Sequence, residues 1–125
     1  MPLAVGIDLV AVARVERLLQ RSGERAWERL LLPGERAYCE GMAVPARHVA
    51  ARLAAKEAVY KALQGTEDAR GIGWRDIEVV RDRHGRPTVA LHGRAAGRLR
   101  EVGARQVLLS LTHTDELAAA IAVLV

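Results

Sequence analysis

The sequence predicts a single α+β domain with a mostly antiparallel sheet packed against one long helix and several shorter ones. Three observations predict it. The chain opens on a nearly continuous apolar run at residues 3–12, and an alanine-rich helical pattern fills 45–64. Short β-branched runs recur at 77–80, 88–91, 107–112 and 117–125. At 125 residues the chain is one domain in size, able to bury roughly two-thirds of its unfolded surface.

Taken in order, residues 3–12 read as a buried strand. Alternation places Leu3, Val5, Ile7 and Leu9 on one face and Ala4, Gly6, Asp8 and Val10 on the other. Residues 13–21 look helical up to a Ser22-Gly23 break, and 24–31 give a second short helix. Pro33 opens a third, since proline suits a first helical turn, and this one runs to a stop near Gly41. The long pattern over 45–64 is closed by Gly65 as a C-terminal cap. Residues 77–80 and 88–91 flank Arg83-His84-Gly85-Arg86-Pro87, a hairpin. Residues 93–102 are helical, and two last strands join around His113-Thr114-Asp115-Glu116. Neither a repeat nor a linker is visible.

Composition narrows the function classes. Half the residues are apolar and evenly spread, which argues against disorder. No apolar run approaches the ~20 residues of a membrane span, so no membrane partner is expected. The N-terminus lacks a basic region and reaches Asp8 too soon for a signal peptide. A lone cysteine, Cys39, fits a reducing cytoplasm and reads as a neutral structural thiol. The net charge of +4 favours anionic partners. Nucleic acid is not expected among them, because Trp27, Tyr38, Tyr60 and Trp74 are scattered rather than ranked as a base-stacking platform.

The nineteen basic residues include only two lysines, Lys56 and Lys61, both in the long helical stretch. Lysine can give up a proton, whereas guanidinium stays charged, so the pair marks the place to look for chemistry. Glu57 and Lys61 are four apart and share a helix face; an exposed ion pair is the bland account of them. Asp8 sits mid-strand, where a carboxylate is costly unless it is paired or bound to a metal. If Asp8 and Glu57 met, their repulsion would call for a cation, and two carboxylates with open positions suit magnesium. Lys56 falls within the apolar stripe of Val49, Leu53, Tyr60 and Leu63, so it either snorkels past the core edge or points at a bound anion; snorkelling is the commoner outcome. His113 lies at a strand end, on a rigid support. His48, His84 and His92 receive no role, and no second histidine stands at a zinc-ligand spacing. Arg14, Arg17 and Arg21 form a basic helical face, either solvated or a dock for an acidic helix.

The order of these features is more specific than any one of them. Gly6-Ile7-Asp8 followed by Arg14, then Arg52-Leu53-Ala54-Ala55-Lys56-Glu57-Ala58-Val59-Tyr60-Lys61-Ala62, then Asp76-Ile77-Glu78-Val79, Gly85-Arg86-Pro87 and Ser110-Leu111-Thr112-His113 strongly resemble the holo-acyl-carrier-protein synthases, the small 4'-phosphopantetheinyl transferases. The resemblance runs over essentially the whole chain. It implies magnesium-dependent transfer of the phosphopantetheine arm of coenzyme A to a serine of an acidic apo acyl carrier protein, releasing adenosine 3',5'-bisphosphate. It further implies that Asp8 and Glu57 hold the metal and that Lys61 stabilises or protonates the departing phosphate. His113 would contact phosphate from the sheet side, with Glu57 as one candidate base. Arg52, Lys56, Ser110 and Thr112 would help hold coenzyme A, and Arg14, with Arg17 and Arg21, would dock the carrier. A homotrimer with interface active sites is implied as well. Leu53 stands where the family usually has phenylalanine, and Gly65-Thr66-Glu67 replaces Gly-Thr-Gly. The rival reading is a non-catalytic module that binds coenzyme A or carrier protein without metal or leaving-group acid.

Overall fold

The computed structural model describes residues 1–64 and 71–125. The cap at Gly65 and the departure at Glu67 therefore lie outside the described residues. The chain runs β1 (Ala4–Ala11), α1 (Val12–Ser22), α2 (Glu24–Leu30), α3 (Pro33–Glu40), α4 (Pro45–Leu63), a 3-10 turn (Trp74–Asp76), β2 (Ile77–Arg81), β3 (Pro87–Leu91), α5 (Gly93–Glu101), β4 (Val107–His113) and β5 (Leu117–Leu124).

Among the described residues every strand pairing is antiparallel, but the strands divide into two hydrogen-bonded sheets rather than one. β5 lies between β1 and β4, while β2 and β3 form a separate hairpin. The connection from β3 to β4 passes through α5, and no ladder joins these two strands among the described residues.

α4 is the centre of the molecule. Alanine is the strongest helix former, and Pro45 sits at the first turn with its φ already suited to a helix. Thirteen of its nineteen residues are buried, so the helix is enclosed on nearly all sides rather than amphipathic. It packs on β1 and β5 through small side chains. Ala118, Ala120 and Ala122 of β5 face it and are almost fully buried. Gly6 of β1 comes closest: a Cβ built there would stand 1.9 Å from the Ala58 carbonyl oxygen and 2.9 Å from the Ala62 nitrogen. Only glycine permits that approach.

β1 is not buried on both faces. Ala4, Gly6, Asp8 and Val10 turn toward α4, whereas Leu3, Val5, Ile7 and Leu9 are 51–66 % exposed. The register places Ile7 beside Ile121, which is itself exposed, so the outer face of the three-stranded sheet is an apolar surface.

Candidate functional site

The antiparallel register of β1 and the helical repeat of α4 bring Asp8, Glu57 and Lys61 together. Asp8 is two residues beyond Gly6, on the same strand face, and so points at the helix that Gly6 lets in close. Lys61 Nζ donates to Asp8 Oδ1 at 2.9 Å and to the Ile7 carbonyl at 3.0 Å. The bland account of Lys61 paired it with Glu57, four residues back. The structure gives it Asp8 on the neighbouring strand instead. Asp8's charge is thus met by a lysine, not by one of the many arginines. Burial raises the pKa of the Glu57 carboxyl, Asp8's charge adds to the effect, and Lys61 and Arg14 partly offset it. A carboxyl whose ionisation is made costlier by burial and by a neighbouring carboxylate forms, with that neighbour, a donor set suited to a hard cation.

Asp8 and Glu57 line a cleft of about 560 Å³ whose walls include Leu53, Leu30 and Trp74. Arg14, Arg17 and Arg21 of α1 line the same cleft, since a spacing of three and four residues puts them on one helix face. Val15, buried beneath them, anchors that helix to the core.

Lys56 is corrected by the structure. It neither snorkels nor faces a bound anion: its ammonium is fully buried and donates to Glu35 Oε1 at 2.7 Å, to the Leu30 carbonyl at 2.8 Å and to the Trp74 carbonyl at 2.8 Å. All three of its donors are spent inside the fold, which leaves none for coenzyme A. Burial lowers its pKa, and Glu35 works against that shift. Glu35 also accepts from the backbone N–H groups of Leu32 and Val79, both at 2.9 Å. The pair therefore ties α2, α3, α4, β2 and the 3-10 turn to one buried point, one residue before Glu57. Sequence reasoning missed Glu35 because an acid in a first helical turn is an ordinary feature.

Within one chain, the structure does not bring Arg52 or His113 to Asp8. His113 stands two strands and two residues from the Asp8 register position, about 12 Å away by sheet geometry. There it joins a second group of side chains. His113 lies edge-on to His48 with ring centroids 5.1 Å apart, and His48 is edge-on to Tyr38 at 5.8 Å. The guanidinium groups of Arg52 and Arg81 lie 4.1 and 4.9 Å from the Tyr38 ring centroid. Burial lowers the pKa of His48, as do the charges of His113, Arg52, Arg81 and Arg47. Among the described residues, Arg47 and Arg52 each hold a buried Nε that finds no hydrogen-bond partner. Such a cationic, under-satisfied cluster has the chemistry of an anion site. Ser110 and Thr112 sit opposite Ile121 and Ala119, on the outer sheet face, turned away from both groups. Tyr38, His48 and Arg81 carried no sequence signal, because helix, helix and strand meet only in three dimensions.

Cys39 is buried, and burial pushes its thiol up to about 11, so it is inert at neutral pH. No helix among the described residues is long and apolar enough to cross a membrane.

Comparison with known proteins agrees with this architecture. The family model of the 4'-phosphopantetheinyl transferase superfamily matches residues 4–122. A Koribacter versatilis protein named holo-acyl-carrier-protein synthase is 43% identical over 124 residues, covering 99% of this chain and 98% of its own. The crystal structure of holo-acyl-carrier-protein synthase from Neisseria meningitidis superposes with a TM-score of 0.85 at 28% identity, over 99% of this chain and 98% of the other. That of the Helicobacter pylori enzyme, solved in complex with coenzyme A, gives 0.80 at 26% identity over 97% and 99%. The likeness in sequence and fold spans nearly the whole chain, and the chain belongs to the 4'-phosphopantetheinyl transferase superfamily.

Proposed function

We propose that this protein moves the 4'-phosphopantetheine arm of coenzyme A onto a serine hydroxyl of an acidic apo acyl carrier protein and releases adenosine 3',5'-bisphosphate. The observation that carries the reading is the convergence of Asp8, Glu57 and Lys61 on one cleft rimmed by Arg14, Arg17 and Arg21. The Helicobacter pylori relative, solved with coenzyme A, supports the donor substrate.

Asp8 and Glu57 fit magnesium, which takes one or two carboxylates and completes its shell with water and substrate phosphates. When bound, it supplies charge neutralisation at the phosphates. The chain's own groups do the rest. Among the described residues, Lys61 commits two donors, to Asp8 and the Ile7 carbonyl, which leaves a third for a phosphate oxygen and a proton for the departing phosphate. Glu57, which lines the cleft beside Asp8, is the carboxylate placed to accept the serine proton as the new oxygen–phosphorus bond forms and the bond to the departing nucleotide breaks. The arginines of α1 orient the carrier, so that its serine enters the cleft rather than sweeping past it.

A homotrimer with shared sites belongs to the same proposal. The exposed apolar face of β1 asks for a partner surface. The Arg52–His113 cluster, remote from Asp8 in its own chain, completes a coenzyme A site when supplied by a neighbouring copy. Ser110 and Thr112, on the outer face, would then lie at that junction.

The test is intact-mass spectrometry of an apo acyl carrier protein incubated with this protein, coenzyme A and magnesium, beside a chelator control. One added phosphopantetheine that disappears with chelator is the expected result. No addition across several carrier proteins would favour the non-catalytic binding module.

A further inference from the structure

Lys56 and Glu35 are buried, yet the hydrogen bonds they make end at the cleft. The walls of the cleft that holds Asp8 and Glu57 include Leu30, the last residue of α2, and Trp74, the first of the 3-10 turn. The backbone carbonyls of both accept from one ammonium, that of Lys56, at 2.8 Å each. Its third proton goes to Glu35 Oε1 at 2.7 Å. Glu35 in turn holds the Leu32 N–H at the start of α3 and the Val79 N–H in β2. The 3-10 turn keeps its own shape through the Gly73 N–H bond to Asp76 at 2.8 Å. Lys56 therefore sets where the turn sits rather than what it is. It is also the residue immediately before Glu57 on α4. One enclosed helix thus presents a reacting carboxylate to the cleft and, through the adjacent side chain, grips the cleft wall.

Stability alone does not account for such a pair. Apolar residues of similar volume are often as stable as a buried ion pair, or more so. What three directed bonds add is position. A hydrogen bond holds its partners within a few tenths of an ångström, whereas apolar cores repack and lose uniqueness before they lose stability. We propose that Lys56 and Glu35 are positioning residues for the transfer. They fix the Leu30 and Trp74 wall relative to Glu57, so that the reacting phosphate and the incoming serine meet the carboxylates at one spacing. The proposal rests on the transferase reading. Neither residue touches substrate; both act through the wall, and a displacement near 1 Å in such a site costs on the order of a hundredfold in rate.

The test compares Lys56→Met with Leu124→Ala, a truncation of a fully buried core leucine at the far end of β5 from the Asp8 register position. Both destabilise the fold, so a purely structural role predicts equal behaviour. Trp27→Phe is the common background, which leaves Trp74 as the single tryptophan. Steady-state transfer to apo carrier protein is measured at a temperature where circular dichroism shows every variant folded, beside Trp74 emission and acrylamide quenching. Lys56→Met lowers kcat on the order of a hundredfold below Leu124→Ala and makes Trp74 more accessible to quencher. KM for the carrier stays within about twofold of the control, because the arginines of α1 are untouched. Should Lys56→Met fail to fold, Glu35→Gln carries the same readings; its amide keeps the volume and an acceptor, and it gives a smaller change in the same direction. A kcat equal to that of the control overturns the proposal, as does a fall in kcat with Trp74 quenching unchanged or a loss confined to carrier KM. Should wild type transfer nothing, the transferase reading fails on its own. The wall is then still read by Trp74 quenching, where equal values in variant and control overturn its placement by Lys56.

Discussion

Gly6→Ala is the most direct probe of how the site is built. The added Cβ would lie 1.9 Å from the Ala58 carbonyl oxygen and 2.9 Å from both the Ala58 carbonyl carbon and the Ala62 nitrogen. All three are backbone atoms of a helix enclosed by packing, so no side chain can swing aside. Ordinary contact requires β1 and α4 to separate locally by roughly 1 to 1.5 Å. The Lys61 bonds to Asp8 and Ile7, now 2.9 and 3.0 Å, cannot survive that separation unless the lysine re-extends. Overpacking of this kind costs about 1–3 kcal/mol of stability. A misplacement near 1 Å in a catalytic group costs about a hundredfold in rate. The assay is phosphopantetheine transfer to apo carrier protein at a temperature where thermal melts show both proteins fully folded. The expected result is kcat/KM lower by about two orders of magnitude alongside a modest fall in Tm. Turnover within threefold of wild type would refute the argument that this contact sets the placement of Asp8.

Three further predictions rest on separate features. Lys56→Met leaves the Glu35 carboxylate buried without its cation; the expected loss is about 3–5 kcal/mol, roughly 10–20 °C in Tm, and a shift under about 2 °C by differential scanning calorimetry would contradict it. Glu57→Gln should abolish transfer yet raise the Tm at pH 7. The folded state holds the Glu57 proton more readily than the unfolded chain does, so wild-type stability falls as pH rises above the ordinary value of 4.5. The advantage of Gln should vanish below that pH, and a variant no more stable than wild type at pH 7 counts against the carboxylate strain. Ile7→Glu places a charge in the exposed apolar face; sedimentation should show a smaller species than the trimer proposed for the wild type, and an unchanged sedimentation coefficient would exclude this face from the interface.

Secondary structure was legible because each element carried its own period. The alanine-rich stretch of α4 and the alternation in β1 and β5 set their boundaries to within a residue or two. Asp8, Glu57 and Lys61 were legible as candidates from residue type and motif order, and the structure brings them together. The partnership inside the trio was not, because helix spacing offers Glu57 to Lys61 and knows nothing of a strand that passes alongside. Lys56 was misread for a related reason. An apolar stripe predicts burial for whatever falls in it, but the acid that makes burial tolerable, Glu35, comes from another helix twenty-one residues earlier. The exposed face of β1 was also hidden, since a run of large apolar residues reads as core whether a fold or a second copy covers it. Ser110, Thr112 and His113 share one motif in sequence, yet the sheet sends Ser110 and Thr112 to one face and His113 to the other.

The enclosure of α4 has a consequence for how such an enzyme can change. The helix that carries Glu57 and Lys61 touches strands and helices nearly all the way round, and most of its alanines are buried. Its volume is fixed by its neighbours, so new substrate preferences cannot be tuned there without moving the carboxylates themselves. The exposed faces of α1 and α2 have no such constraint. With the carrier docked on the α1 arginines as proposed, a lineage adapting to a different carrier protein can rewrite them one at a time and leave the reaction chemistry untouched.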